Sequence, residues 1–66
     1  MKNNIKVQRA ILNITQEELA KRIGVSRQTV NALEAGKYVP STVLALKISK
    51  YFKKNVEEIF QLEDND

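Results

Sequence analysis

The sequence contains neither cysteine nor histidine, and each absence excludes a class of function. Without cysteine there is no disulfide framework and no thiolate ligand for a metal. Without histidine there is no His-based catalytic triad and no ordinary structural zinc site. The acidic residues form no evident pair that is spaced for general acid–base chemistry. We therefore expect no enzyme activity, no cofactor and no metal site.

Long apolar runs are also missing, and so are the residues that make linkers. No apolar stretch approaches the roughly 20 residues that cross a bilayer, and residues 1–4 lack the apolar segment of a signal peptide. One proline and two glycines leave no linker, repeat or second domain. With 66 residues, 42% apolar and 29% charged, the chain is predicted to form one small globular domain over residues 1–66. We expect it to be cytoplasmic, with no membrane partner and no evident small-molecule ligand.

The charge is unevenly distributed along the chain. Residues 1–54 hold all eleven Lys and Arg and only three acids, which is a net charge of +8. Residues 55–66 hold the other five acids and no base, which is −5 and brings the total to the formal +3. A basic body favours a polyanionic partner, and an acidic end is repelled from phosphate. Simple solubility would account for the same charges.

The stretch 15–36, TQEELAKRIGVSRQTVNALEAG, predicts two short helices joined by a tight turn. Thr15 and Glu18 have the spacing of a capping box, which marks a helix start. Gly24 follows the last apolar residue of that helix, as a left-handed helix stop does. Ser26 is a good N-cap for the next helix. Two helices joined by a short glycine-containing turn are typical of a helix-turn-helix motif, which we place at residues 16–35.

The outward face of the second of these helices indicates what it binds. Val30 and Leu33 fall on the inner side of a helical wheel, whereas Gln28 and Asn31 fall on the outer side with Arg27 on the flank. Arg, Gln and Asn form bidentate hydrogen bonds with base edges in the major groove. An ordinary solvated helix would explain the same pattern, but it more commonly carries Lys and Glu in i,i+4 pairs. This face therefore favours DNA recognition.

At this point the chain resembles the Cro/phage-repressor (XRE-type) helix-turn-helix family, and in length it is similar to the family's short stand-alone repressors. The resemblance implies an all-α, five-helix, lambda-repressor-like DNA-binding domain whose third helix reads DNA. The matching positions extend over nearly the whole sequence: Ile5, Arg9, residues 14–20, residues 24–29, Glu34, residues 36–37, 40–41, 45–48 and 56–60.

The resemblance also implies roles for individual residues. Arg9 corresponds to an arginine that pairs with the glutamate at the position of Glu34 and so fixes the reading helix on its scaffold. Gln16 corresponds to a glutamine that holds a phosphate at a helix N-terminus, where free amides and the helix dipole attract anions. Lys37 corresponds to a backbone contact. For Tyr38 the family implies no role, and its own chemistry allows it either to donate to a phosphate or to cover the edge of the core. The full predicted DNA-contacting set is Gln16, Ser26, Arg27, Gln28, Thr29, Asn31, Lys37 and Tyr38.

The first helix departs from the family pattern. The family usually has Leu at the position of Gln8 and polar residues at those of Val7 and Ile11. Either this helix is rotated or it exposes an apolar patch, and the sequence leaves both alternatives open. At the other end of the chain, residues 61–62 can pair as a short strand with residues 2–3. The lysines of the predicted fourth helix, residues 42–52, are interpreted as a solvated face: Lys47, Lys50, Lys53 and Lys54.

The sequence thus predicts a transcriptional regulator, most simply a repressor that binds a palindromic operator in double-stranded DNA as a homodimer. Since the dimer face must lie away from phosphate, we place it near the last two helices, at Val39, Tyr51, Val56 and Ile59. One alternative is that Tyr51 and Ile59 are ordinary core and that the chain stays monomeric until DNA assembles it. Another function is a protein-interaction module, such as an antitoxin whose main partner is a protein.

Overall fold

A computed structural model describes all 66 residues and shows five α-helices with one two-stranded antiparallel sheet. The five-helix prediction and the pairing of the two ends of the chain are both confirmed. None of the helices combines the length and the apolar character needed to cross a bilayer. In chain order the elements are β1 (Lys2–Asn3), α1 (Ile5–Leu12), α2 (Gln16–Ile23), α3 (Arg27–Glu34), α4 (Thr42–Phe52), α5 (Val56–Ile59) and β2 (Phe60–Gln61).

Local capping accounts for the sharp turn between α2 and α3. The Glu18 amide donates to Thr15 Oγ1 at 3.0 Å, and the Thr15 amide donates to Glu18 Oε1 at 3.2 Å, so the capping box is complete. Gly24 ends α2 with a φ of +76°, a left-handed conformation that a side chain would strain. The Thr29 amide then donates to Ser26 Oγ at 3.1 Å, which starts α3. Each of these interactions joins residues at most three positions apart, which is why the motif is readable from the sequence.

One continuous hydrophobic core holds the helices together. The helix-turn-helix pair contributes nearly half of it, and α2 packs against both α3 and α4. Burial of each large side chain contributes about 1.5–3 kcal/mol, so a core of this size is what allows so short a chain to fold. The buried hydrophobic residues are Ile5, Leu19, Ala20, Ile23, Val30, Leu33, Leu44, Ile48, Phe52, Ile59 and Phe60.

The orientation of α1 resolves the alternatives that the sequence left open. Ile5 and Gln8 face the core and are buried, so the helix is not rotated. Val7 and Ile11 point away from the core and are 55% and 68% exposed, and Leu12 is also exposed. The first helix therefore exposes an apolar patch. Gln8 occupies an inward position, and the outward positions carry the apolar side chains.

The terminal strands pair one residue earlier than predicted. β1 pairs with Phe60–Gln61, with Lys2 opposite Gln61 and Asn3 opposite Phe60, and not with residues 61–62. The reason is that Phe60 is already extended and buried, while the Asn4 amide donates to the Ile59 carbonyl at 2.9 Å and brings the strands together there. Leu62 lies beyond the sheet and is largely exposed. The register thus follows the last two apolar side chains that the core can bury.

Candidate nucleic-acid interface

The outer face of α3 presents three polar side chains with no partner inside the protein. Arg27, Gln28 and Asn31 are all exposed, and none of them makes a side-chain hydrogen bond within the chain. Their inward neighbours Val30 and Leu33 are fully buried, which fixes the rotation of the helix about its axis. The amide and guanidinium groups of this face are therefore free to bind an external ligand. Their donor and acceptor pattern is the one that reads base edges.

Two residues of the predicted DNA-contacting set, Ser26 and Thr29, hydrogen-bond to each other and cap the N-terminus of α3. Ser26 Oγ accepts the Thr29 amide, and the hydroxyls of Ser26 and Thr29 lie 3.0 Å apart. Since one of the two hydroxyls must donate to the other, at most one hydroxyl proton remains for an outside acceptor. Both residues stay accessible enough to touch a phosphate, but their first role is to cap the helix.

Arg9, Glu34 and Gln16 form a hydrogen-bonded network that joins α1, α2 and α3. Arg9 Nε donates to Glu34 Oε2 at 2.6 Å and Nη2 donates to Oε1 at 3.1 Å, a bidentate pair. Arg9 Nη1 also donates to the Ile14 carbonyl at 3.0 Å. The Gln16 amide completes the network by donating to Glu34 Oε1 at 3.1 Å. Three helices are therefore held in register by one carboxylate.

The electrostatics of Glu34 follow from that network. Burial raises the pKa of the carboxyl, but the hydrogen bonds from Arg9 and Gln16 and the charges of Arg9 and Lys6 outweigh burial and hold the pKa below its ordinary value. On the other side, the hydrogen bond to Glu34 raises the pKa of the Arg9 guanidinium. A carboxylate with a depressed pKa stabilises the fold above its ordinary pKa of 4.5, and that stabilisation is lost as the pH falls through the folded value.

The position of Gln16 is compatible with a phosphate contact. Its side-chain NH2 group has two N–H donors, and Glu34 takes one of them. The second is available to an acceptor at the N-terminus of α2, where backbone amides and the helix dipole also favour an anion. Lys37 and Tyr38 follow α3 and are both exposed. Tyr38 is 43% exposed, so its hydroxyl is accessible to a phosphate.

One residue that positions α3 was not predicted from the sequence. Asn3 Nδ2 donates to the Leu33 carbonyl at 2.7 Å, which satisfies a free carbonyl at the C-terminal end of α3. The sheet therefore anchors this end of α3 while the α2–α3 turn anchors the other. No pattern in the sequence signals the contact, because it joins residues 30 positions apart.

The four residues predicted for a dimer face do not lie together. Ile59 is fully buried in the core and leaves no surface for a partner, so its placement in the interface is wrong. Tyr51 is half-buried beside Phe52. It lines a groove between α2 and α4 and is therefore not part of the surface that Val39 and Val56 share. Val39 and Val56 line the same apolar groove, of about 320 Å³. Its other lining residues are Met1, Pro40, Thr42, Ala45, Leu46 and Phe60.

A second groove, of about 660 Å³, lies between the C-terminal ends of α2 and α4. Five cationic side chains surround it and no acid does. We call it the basic groove. Three of its lysines, Lys47, Lys50 and Lys53, belong to the predicted solvated face of α4. Helical spacing shows that they point outward but does not show that α2 brings further cations to them. The cations are Lys21, Arg22, Lys47, Lys50 and Lys53.

Comparison with known proteins agrees with this geometry. The model of the helix-turn-helix family matches residues 5–59. An HTH-type transcriptional regulator of Methanocaldococcus jannaschii is 56% identical over 66 residues, and the match covers both chains completely. YgzD, an HTH-type transcriptional regulator of Bacillus subtilis, is 50% identical over 66 residues, again with complete coverage of both. A third HTH-type transcriptional regulator, from Archaeoglobus fulgidus, is 50% identical over all of this chain and 93% of its own.

Proposed function

The chain belongs to the helix-turn-helix family of DNA-binding transcriptional regulators, and from that premise we propose that it is a repressor that binds a palindromic operator as a homodimer. In this proposal the whole of residues 1–66 acts as one DNA-binding domain. The α3 helix enters the major groove of double-stranded DNA, and α2 crosses the sugar–phosphate backbone. Repression follows from occupancy, since a dimer bound across a promoter blocks access to it.

The observation that carries the proposal is the free polar face of α3. Arg27, Gln28 and Asn31 are the exposed side chains on a helix whose other polar residues are engaged in capping or in the Arg9 network. We assign Gln28 to an adenine or its neighbour, and Arg27 to a guanine or a phosphate at the edge of the groove. Asn31 and Thr29 add base or backbone contacts. Gln16, Ser26, Lys37 and Tyr38 hold the backbone and set the register.

The first prediction tests the reading face. The operator is found by selecting bound duplexes from a random pool, which returns the half-site and the spacing together. Gln28→Ala should then weaken binding to the selected site by about 1–3 kcal/mol, roughly 5- to 150-fold, and relax the preference at a single base position in each half-site. The measurement is the dissociation constant for the selected duplex and for each single-base variant.

Lys37→Ala is the matched control, because it removes a polar side chain from a proposed backbone contact and leaves the network that positions α3 intact. It should weaken binding to all duplexes by a similar factor and leave the order of preference unchanged. If Gln28→Ala behaves in the same uniform way, Gln28 contacts the backbone. If neither variant nor the wild-type chain prefers any duplex, the assignment of α3 as a reading helix fails.

Dimerisation is proposed because one reading helix covers too few base pairs to define a specific site. A two-fold axis places the two α3 helices about 34 Å apart, one turn of DNA, and makes the operator palindromic. The apolar groove that Val39 and Val56 share is the surface best suited to this contact. Val39 is 64% exposed, and Leu46 beside it is more than half exposed. Pairing two such surfaces removes apolar area that one chain leaves in water.

The second prediction tests the dimer. Wild-type protein should sediment as a dimer at micromolar concentration, and Val39→Glu and Val56→Glu should both run as monomers of 7.5 kDa with a large loss of operator binding. Val39→Glu is included because Val39 is exposed, so the charge cannot act by unfolding the core. Val7→Glu, an equivalent change on the exposed patch of α1, is the control and should leave the dimer intact. A wild-type monomer that also binds its operator as a monomer would refute the interface.

A further inference from the structure

We propose that the basic groove between α2 and α4 is a second DNA-backbone contact, which extends the phosphate footprint beyond the major groove that α3 enters. The inference rests on the proposed function, because it takes the duplex held by α3 as the partner. It concerns side chains outside the helix-turn-helix reading face, three of which lie on or just after α4.

The groove is strongly positive. Its five cations are exposed, and the salt bridges of the chain all involve other groups, so none of the five is neutralised. The C-terminal ends of α2 and α4 oppose them with about half a negative charge each, through the helix dipoles. Glu18 lies in a small neighbouring cavity with Lys21 and Arg22 and contributes one more negative charge. About three positive charges therefore remain in excess around one concave surface.

Helix-dipole compensation explains part of this arrangement but not all of it. Lys21, Arg22 and Lys50 lie in the last turns of their helices, where a cation stabilises the helix by about 0.3–1 kcal/mol. Lys53 is the C-cap of α4 and has the same dipole to compensate, but Lys47 lies outside the last turn and still faces the groove. Gathering like charges opposes folding through their mutual repulsion, and an anionic ligand relieves it. The chemistry that the groove selects is thus a polyanion.

The position of the groove favours the DNA backbone as that polyanion. Gly24 lines the groove and is two residues before Ser26, the N-cap of α3. Two residues span at most about 7 Å, so this edge of the groove lies close to the start of α3. When α3 lies in the major groove, α2 is the helix that crosses the backbone. The basic groove is built on the last turn of α2, at the opposite end of the helix from Gln16, so its cations would meet a different part of the backbone from the phosphate that Gln16 holds.

The acidic part of the chain is kept away from this surface. Asn3 binds the C-terminal end of α3, and β1 pairs there with β2, from which the acidic residues 62–66 continue. The basic groove adjoins the opposite end of α3, and the helix is about 12 Å long. Within this end segment Glu63 and Asp66 engage the amino group of Met1 at 3.1 Å. The acids of residues 62–66 therefore do not neutralise the groove within one chain, and neither Glu57 nor Glu58 of α5 lines it.

The test compares two variants with the same change in net charge. Lys47→Gln/Lys50→Gln removes two cations from the groove, whereas Lys2→Gln/Lys54→Gln removes two exposed cations that lie outside it. Dissociation constants are measured for the selected operator and for a scrambled duplex at several salt concentrations. The groove variant should reduce the slope of log affinity against log salt by about 1.8 per bound protomer, and the control variant by less than half of that.

Two further readouts make the result specific. The preference for operator over scrambled duplex should be unchanged in the groove variant, because backbone contacts carry no base information. Hydroxyl-radical footprints of the wild type should show protected sugars outside the α3 half-site that the groove variant exposes. Thermal melting checks that the variant is folded, and Lys21→Gln/Lys47→Gln replaces it if Lys50 proves necessary for α4.

The outcomes separate this inference from the proposed function. If wild-type protein binds the operator but the groove and control variants have equal slopes and footprints, the groove does not touch DNA and only the inference fails. If the groove instead binds a polyglutamate peptide while duplex binding is indifferent to Lys47 and Lys50, its partner is an acidic protein segment, which also overturns the inference. If the wild type binds no duplex at all, the proposed function fails and this inference fails with it.

Discussion

Arg9→Ala is expected to lower the free energy of unfolding by about 3 kcal/mol, close to the range of 3–5 kcal/mol for breaking a buried ion pair. The side chains of Arg9 and Glu34 are only 15% and 7% exposed, so water replaces the lost partner only in part. The substitution also frees the Ile14 carbonyl from its guanidinium donor. For a domain of this size the melting temperature should fall by about 12–24 °C. Thermal unfolding followed by circular dichroism measures the change.

Three comparisons establish that the stranded Glu34 carboxylate causes the loss. Arg22→Ala removes an exposed arginine that forms no salt bridge and should lower stability by no more than about 1 kcal/mol, the size of its interaction with the dipole of α2. Arg9→Met combined with Glu34→Leu should recover part of the loss, because neither charge is then buried alone. In the wild type, stability should decline as the pH falls from 4.5 through the depressed pKa of Glu34, and Arg9→Ala should flatten this decline. An unchanged melting temperature for Arg9→Ala would show that the pair does not hold α1 to α3 in solution.

Operator affinity is expected to fall by about a thousandfold or more between 50 and 200 mM salt. The basic body should neutralise several phosphates in each protomer, and a dimer with 6–10 such contacts loses about 10³–10⁵ in affinity over that interval. Lys37→Ala should reduce the slope by about 0.9 per protomer without altering sequence preference. Lys54→Ala, an exposed lysine outside both grooves, is the control. Fluorescence anisotropy across a salt series gives the slopes.

The same measurement discriminates the two classes of function. A protein-interaction module of the antitoxin kind would bind its main partner through apolar contacts that salt does not weaken. Isolated chain that binds duplexes weakly and without a salt slope would therefore count against the regulator proposal and for the alternative. A steep slope with sequence preference would count for it, since electrostatic affinity and base readout are separate terms.

The sequence determines the helix-turn-helix unit almost residue by residue. Thr15 with Glu18, then Gly24, then Ser26 each place a helix boundary through contacts that reach no more than four residues along the chain. The same holds for α4, which spans residues 42–52 as predicted and begins where the Leu44 amide donates to Ser41 Oγ. Such signals depend on local geometry alone, so they survive whatever the rest of the chain does. The outward face of α3 follows from the same helical period.

Long-range packing decides the features that the sequence left open or misplaced. The predicted dimer face includes Ile59, which is in fact buried. A four-residue helix such as α5 is too short for its apolar spacing to show which side faces the core. The observed strand register differs from the predicted one by a single residue, because burial of Phe60 sets the register and strand propensity does not. The basic groove forms only because the fold brings the C-terminal ends of α2 and α4 together. Lys21 and Lys47, which both line it, are 26 residues apart in the sequence. Contacts of that separation leave no periodic trace in a sequence, because each partner satisfies its own local pattern independently.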